Sequence, residues 1–229
     1  GHTPFSAMLA FYTLFASALT GIKNIALSNE SSANEVTVPG TNINHQFSKS
    51  WEFESAFRDY YSRYISPDFN YFSFLRPLSE LQIARIFSKL QKYHPVFKSC
   101  NAGSKNDSWC GKCPKCLFTH IMLGAFTGLD EADKILGKPL LADLELSPVF
   151  DELCGFSKVK PFECVGTTEE VSQALEMIAA KNTNQTHPIL IDRYLKMRKS
   201  QPANPDFKSL NQQHFLSTDL LNLLLNHLQ

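Results

Sequence analysis

The chain has 229 residues, 43% hydrophobic and 19% charged, with 18 Phe among them. This length suits one domain with appendages or two small ones, and the composition supplies a sizeable core, which excludes a disordered chain. Lys plus Arg and Asp plus Glu balance at 22 each, which argues against DNA or bulk RNA as a partner, because a nucleic-acid binder carries a basic excess.

The apolar start, Pro4 to Thr20, lacks the basic region and cleavage site of a secretory signal. Ser6, Thr13, Ser17 and Thr20 interrupt it, and it falls short of the ~20 apolar residues of a bilayer helix, so no membrane span is expected. It reads as a buried helix, with Thr3 as cap, Pro4 at the first helical position and Gly21 as the stop. An amino-terminal domain does not normally open on a fully buried helix, so the chain reads as cut from something longer. We expect a cytoplasmic protein, for which the Asn184-Gln-Thr186 sequon carries little meaning.

A short β-like run, Lys23 to Ser28, leads into the polar segment Asn29 to Glu35. Helix, turn, strand and then a polar loop at the strand's carboxyl end is how α/β sheets place ligand sites. Ser28 to Glu35 holds seven hydrogen-bonding side chains in eight residues, including Asn29, Glu30, Ser31, Asn34 and Glu35. It could orient a substrate carboxylate, a phosphate or a metal, or be a plain surface loop. The run Asn42 to Lys49 adds His45, a possible acid or base, and Lys49, a possible phosphate-binding charge. A lone histidine is as readily structural.

Residues 51–64 carry Trp51, Phe53, Glu54, Phe57, Tyr60, Tyr61 and Tyr64 at helical spacing. A second strand is expected at Tyr71 to Leu75. Arg76 follows, held extended by Pro77, and could contact a carboxylate or phosphate through two nitrogens. Ser79 to Gln91 reads as an amphipathic helix, and Val96 to Ser99 as a third strand running into Cys100. Leu117 to Phe126 and residues 129–137, 168–181 and 214–228 read as further helices. The Pro- and Asn-rich stretch 200–211 reads as a linker. We expect an α/β domain over residues 1–137 and a mainly helical extension over 138–229.

Four of the six cysteines, Cys100, Cys110, Cys113 and Cys116, fall within seventeen residues. Successive C-x2-C spacings let a turn present thiolates to one ion while backbone N–H groups donate to sulfur. Zn²⁺ takes four such ligands in a tetrahedron at about 2.3 Å, leaving no position for a reacting water, so the site would be structural. Lys112 and Lys115 could offset part of its negative charge. A disulfide pair or a redox dithiol are the other readings, and iron is the competing metal. Cys154 and Cys164 read as small buried hydrophobes.

Several runs together resemble a known family: Gly-His-Thr-Pro at 1–4, Ser-Asn-Glu-Ser-Ser-Ala-Asn-Glu at 28–35, Asn-His-Gln-Phe-Ser-Lys-Ser at 44–50, Leu-Arg-Pro-Leu-Ser-Glu at 75–80, and Ser-Cys-Asn through Trp-Cys-Gly-Lys-Cys-Pro-Lys-Cys-Leu-Phe at 99–118. In this order they resemble the bacterial UDP-N-acetylmuramoyl-L-alanyl-L-glutamate epimerases, over roughly residues 1–130. The cysteine segment is more distantly similar to the 7-cyano-7-deazaguanine synthases, which share the PP-loop adenine-nucleotide fold.

The resemblance implies an enzyme using ATP and Mg²⁺ to invert the terminal glutamate of a peptidoglycan precursor. It also implies a three-layer parallel sheet of the PP-loop (HUP-like) type. PP-loop enzymes hold ATP phosphates with a Ser-Gly-Gly-x-Asp-Ser loop, and no such run occurs here. The chain therefore reads either as the carboxyl-terminal part of the enzyme or as one without nucleotide binding. Within the matched runs, Glu30, Glu35 and His45 are candidates for proton transfer or Mg²⁺ binding. Asn29, Ser31, Asn34, Lys49 and Arg76 are candidates for holding substrate. Chemistry, not the resemblance, selects them. The alternatives are another PP-loop ATP-dependent enzyme, or a zinc module that binds RNA or a protein.

Overall fold

A computed structural model describes residues 4–181 and 186–228. The expected cap Thr3 and most of the Asn184 sequon lie outside the described residues. The architecture is a mostly helical α/β one with a single two-stranded parallel sheet among the described residues. The chain divides into two compact units. One comprises the chain up to Glu35, Asn44–Ser79 and the chain from Lys208 on; the other comprises Val36–Ile43 and Glu80–Phe207. The boundary expected at 137/138 falls inside the second unit.

The first unit is built around a β-α-β crossover. Helix α1 (Phe5–Thr20) ends at Gly21, whose N–H returns to the Ser17 carbonyl at 2.9 Å. Strand β1 (Asn24–Leu27) then pairs with β2 (Asn70–Ser73) in register, Asn24 opposite Asn70 and Leu27 opposite Ser73. Parallel strands need a long crossover, and here it carries helix α2 (Trp51–Tyr64). Ser50 caps α2 by accepting the Phe53 N–H at 3.1 Å, and Glu52 and Glu54 in the first turn suit the helix dipole. Phe57 stacks on Phe53 at 5.8 Å and meets Tyr61, Tyr71 and Phe11 edge-on, filling a core with Ala10, Leu14 and Ile25.

Two expectations are corrected here. The first helix forms but is not fully buried: Phe5, Tyr12, Phe15 and Leu19 are exposed, and only Ala10, Leu14 and Ser17 are buried. Pro4 stands in the cap position rather than inside the helix. The third strand at Val96–Ser99 is absent. The N–H groups of Val96 and Phe97 both turn back to the Tyr93 carbonyl, at 3.2 and 2.9 Å, so they cannot enter a ladder. The described sheet therefore stops at two strands.

The second unit packs helices around α4 (Pro114–Thr127), which is buried from Cys116 to Ala125. Around it lie α3 (Glu80–Ser88), α5 (Leu129–Leu136), α6 (Ser147–Leu153) and α7 (Thr168–Lys181); α8 (Ile189–Met197) packs on α7. The sequence reading missed α6 and α8, and the last helix, α9 (Thr218–Leu228) in the first unit, begins four residues later than expected. Thr167 and Glu170 form a reciprocal cap on α7: the Thr167 hydroxyl accepts the Glu170 N–H at 3.1 Å, and Glu170 accepts the Thr167 N–H at 2.9 Å. The other Glu170 oxygen takes the Glu80 N–H at 2.7 Å, so one carboxylate starts both α7 and α3. Asp151 holds Arg193 through two bonds of 2.8 and 2.6 Å, tying α6 to α8. Among the described residues, no helix is long and apolar enough to cross a membrane.

Candidate active site and metal centre

The polar loop leaves β1 at its carboxyl end, in the first unit, and turns through a short 3-10 segment at Ser31–Asn34. Asn29 donates to the Ser73 hydroxyl at 3.0 Å, joining the carboxyl ends of β1 and β2. The Ser31 hydroxyl and N–H both reach the Leu78 carbonyl, at 2.9 and 3.2 Å. The Glu30 carboxylate accepts from the Ser32 hydroxyl at 3.2 Å. Asn34 accepts the Trp51 N–H at 2.8 Å, so the loop also seats the start of α2. Asn44 donates to the Ala33 carbonyl at 2.8 Å, which brings the segment carrying exposed His45 against the loop. Glu35 is half-buried at the end of the turn, and Lys49 closes a second 3-10 turn.

Arg76, expected to face a ligand, is fully buried. Its guanidinium donates to the Glu30 carbonyl at 2.6 Å, to the Lys49 carbonyl, and to the Glu54 carboxylate at 3.2 Å. Glu54, also buried, takes the Ser73 N–H at 2.9 Å and the Ser73 hydroxyl at 2.5 Å. Burial, reinforced by the Glu54 charge, pushes the nearby Tyr71 phenol well above its ordinary range and keeps it neutral. The structure thus links Asn29, Glu30, Lys49 and Arg76 through Ser73 and Glu54 by hydrogen bonds, while Ser31 and Asn34 of the same loop bond to Leu78 and Trp51. Sequence reading missed Glu54 and Ser73. The available signal was a carboxylate at the i position of a stripe continued by Phe57 and Tyr61.

The cysteine cluster lies in the second unit. Phe97 packs on Phe87 and Trp109 at 4.8 and 5.5 Å, fixing the irregular segment before Cys100. Cys113 is the residue before α4, Pro114 its first residue, and Cys116 sits in its first turn. The Cys100 sulfur accepts the N–H groups of Gly103 and Cys110 at 3.2 and 3.4 Å, and the Cys110 sulfur accepts that of Lys112 at 3.4 Å. A Cβ on Gly103 would stand 1.9 Å from the Ser108 carbonyl oxygen, so only glycine closes this loop. Gly111, at φ +66°, is the second position that needs glycine.

The four sulfurs lie within 4.8 Å of one another, with separations of 3.8 Å for Cys100–Cys113, 3.7 Å for Cys110–Cys116 and 3.5 Å for Cys113–Cys116. A tetrahedron with arms of about 2.3 Å has edges of about 3.8 Å. A disulfide requires sulfurs at about 2.05 Å, and all six cysteines are free thiols. The donor set and spacing therefore fit a tetrahedral thiophilic metal. Hydrogen bonding from Cys116 pulls the Cys113 thiol down to about 5, while the same contact and burial push Cys116 up. Lys115 turns to Asn101 at 3.1 Å and Glu163 at 3.9 Å, so its charge is shared away from the sulfurs. Cys154 is buried as expected, whereas Cys164 is half-buried.

One buried group was not singled out in the sequence. His120 on α4 meets Asp133 of α5 at 2.6 Å. Burial lowers its pKa and the Asp133 contact opposes that. Burial dominates, because the ring is 1% exposed while Asp133 is partly solvated.

The MurL N-terminal domain model matches residues 1–74, which contain the polar loop, and the MurL C-terminal domain model matches residues 96–208, which contain the cysteines. The UDP-N-acetyl-alpha-D-muramoyl-L-alanyl-L-glutamate epimerase of Xanthomonas oryzae pv. oryzae is 40% identical over 189 residues, covering 79% of this chain and 42% of that protein. The epimerases of Salinispora tropica and a Micromonospora species are 37% and 36% identical, over 83% and 90% of this chain and 43% and 48% of their own lengths. The chain thus spans less than half the length of these curated relatives. No solved structure matches it. With both domain models and these relatives aligned along most of its length, the chain belongs to the MurL epimerase family.

Proposed function

We propose that this chain forms part of a cytoplasmic, ATP-dependent epimerase that converts the terminal L-glutamate of UDP-N-acetylmuramoyl-L-alanyl-L-glutamate to D-glutamate. The observation that carries the reading is the 40% identity to a curated epimerase over 79% of this chain, together with the two family models that match the polar-loop and the cysteine-bearing regions. The parallel β1–α2–β2 unit, with its polar loop at the carboxyl edge of the strands, is what a larger PP-loop sheet would contribute to a ligand site.

The chemistry explains why such a reaction uses ATP. A Cα–H beside an ionised carboxylate is too weakly acidic for a protein base. Transfer of AMP from ATP to that carboxylate releases pyrophosphate and removes the negative charge, so the carbonyl can accept the electrons left at Cα. A base on one face takes the proton and an acid on the other returns one; water then releases AMP and the inverted glutamate. Glu30, Glu35 and His45 are the groups proposed for proton transfer or for Mg²⁺. Asn29, Ser31, Asn34 and Lys49 are proposed to hold substrate carboxylate or phosphate groups. Zn²⁺ would be held by Cys100, Cys110, Cys113 and Cys116, where it supplies a cross-link and no open coordination position.

A graft tests this reading. The aligned share of the Xanthomonas oryzae epimerase is replaced by the matched residues of this chain, and the chimera is incubated with the muramoyl dipeptide, ATP and Mg²⁺. Pyrophosphate release and D-glutamate after acid hydrolysis are expected. A folded, metal-loaded chimera that yields no D-glutamate contradicts the proposal.

A further inference from the structure

We propose that Glu54 and Arg76 are a positioning pair, which never meets substrate but sets the backbone of the Ser28–Glu35 loop against that of Lys49; this rests on reading that loop as the epimerase site. Arg76 is 0% and Glu54 2% exposed, so neither offers a face to a bound solute. The two terminal nitrogens of Arg76 both donate to protein oxygens, Nη1 to the Glu30 carbonyl and Nη2 to the Lys49 carbonyl and the Glu54 carboxylate, while its buried Nε has no partner. Both Glu54 oxygens are also spent, one on the Ser73 N–H, the other on the Ser73 hydroxyl and Arg76. The Ser73 hydroxyl in turn accepts from Asn29. The result is a chain of contacts from Asn29 through Ser73, Glu54 and Arg76 back to the Glu30 backbone. Every member lies at the carboxyl edge of β1 and β2, where the loop begins.

A buried ion pair is poor at raising stability, since two charges lose their water and well-packed apolar residues can serve as well. Its distinctive product is geometry. Guanidinium is a rigid planar fork that can hold two carbonyls and a carboxylate at fixed angles; an ammonium is a point charge that cannot span them. Here the two carbonyls come from segments nineteen residues apart, those of Glu30 and Lys49, and each precedes or carries a proposed functional side chain. The fork therefore fixes how Glu30 and Lys49 are presented to one another.

Arg76→Lys is the decisive variant, because it keeps the positive charge beside Glu54 and removes the fork. Amide hydrogen exchange across 29–35 and 46–50 is expected to rise about tenfold, with α2 and β2 protected as in the unaltered chain. Unchanged exchange in the loop, or an equal rise throughout α2 and β2, overturns the proposal. Should Arg76→Lys not fold, Glu54→Gln removes the charge that faces Arg76 and keeps an oxygen for the Ser73 N–H; it must loosen 29–35 and 46–50 selectively, or the proposal fails. In the chimera with the Xanthomonas protein, Arg76→Lys should lower kcat and leave KM for the dipeptide nearly unchanged, while a wild-type KM and kcat count against positioning. If the unaltered chimera makes no D-glutamate, the epimerase reading fails alone, and the exchange pattern still decides the role of the pair.

Discussion

At the scale of single residues, charge and sulfur chemistry carry most of the argument. Cys113 stands where an irregular loop becomes helix, within 3.5 Å of the Cys116 sulfur and 3.8 Å of that of Cys100. It therefore joins the loop thiolates to the α4 thiolate. Replacing it with serine removes a soft anionic ligand and leaves three, so Cys113→Ser should purify without stoichiometric zinc and melt at a lower temperature, read by elemental analysis and calorimetry. Full metal loading in that variant would show the ligand set to be wrong. The quartet was legible in the sequence because spacing alone constrains thiolates that share an ion. Glu54 was not, because a carboxylate among aromatics reads as one polar interruption until Ser73, at the end of β2, and Arg76, just beyond it, are brought to it.

Elements tell a similar story about which forces leave a trace in sequence. Helix α2 was legible to the residue, since six aromatic side chains recur at helical spacing over 51–64; its Ser50 cap emerges from the structure. Removing that cap tests how much it contributes. Ser50→Ala should cost about 1 kcal/mol of stability in denaturant unfolding, with no change in metal content. Helix α7 was also read over its full span, 168–181, and the structure adds the cap formed by Thr167 and Glu170 three residues apart. Val96–Ser99 misled, because the Val96-Phe97 pair suits a strand even though the N–H groups of both residues are consumed in a turn. The short helices α6 and α8 offer two turns or so each, and their order comes from packing and the Asp151–Arg193 bridge rather than from local propensity.

The α4–α5 junction adds a pH dependence. His120 is held neutral by burial, below the ordinary value of about 6.5. A lowered histidine means that the unfolded chain binds the proton more tightly. The contribution is therefore complete above about pH 6.5 and is lost as pH falls from there toward the lower folded value. The His120 ring resonances, followed by NMR, should titrate below the ordinary histidine value of about 6.5. A His120 that titrates above pH 7 would mean that Asp133 outweighs burial.

On the scale of the whole molecule, the two compact units separate the proposed chemistry from the proposed metal. The polar loop, Glu54 and Arg76 belong to the β-α-β unit, and the four thiols belong to the helical unit around α4. Chain order hides this partition, because residues 36–43 join the second unit and the segment from Lys208 rejoins the first. The linker read at 200–211 contains that return. The polar loop at the carboxyl end of β1 was anticipated from the helix, strand and loop order, and a parallel sheet was implied by the resemblance, whereas the exposure of Phe5, Tyr12 and Phe15 on α1 was not anticipated. An apolar sequence specifies a helix that favours contact with other apolar groups, and it does not specify that this chain supplies them.

The central claim concerns a proton at one carbon atom. The most direct measurement is the turnover of UDP-N-acetylmuramoyl-L-alanyl-L-glutamate by the chimera carrying this chain, run in D₂O with ATP and Mg²⁺. The account predicts D-glutamate that carries deuterium at Cα, formed only when ATP is present. Recovery of L-glutamate alone, or of D-glutamate that retains its original Cα hydrogen, would contradict it.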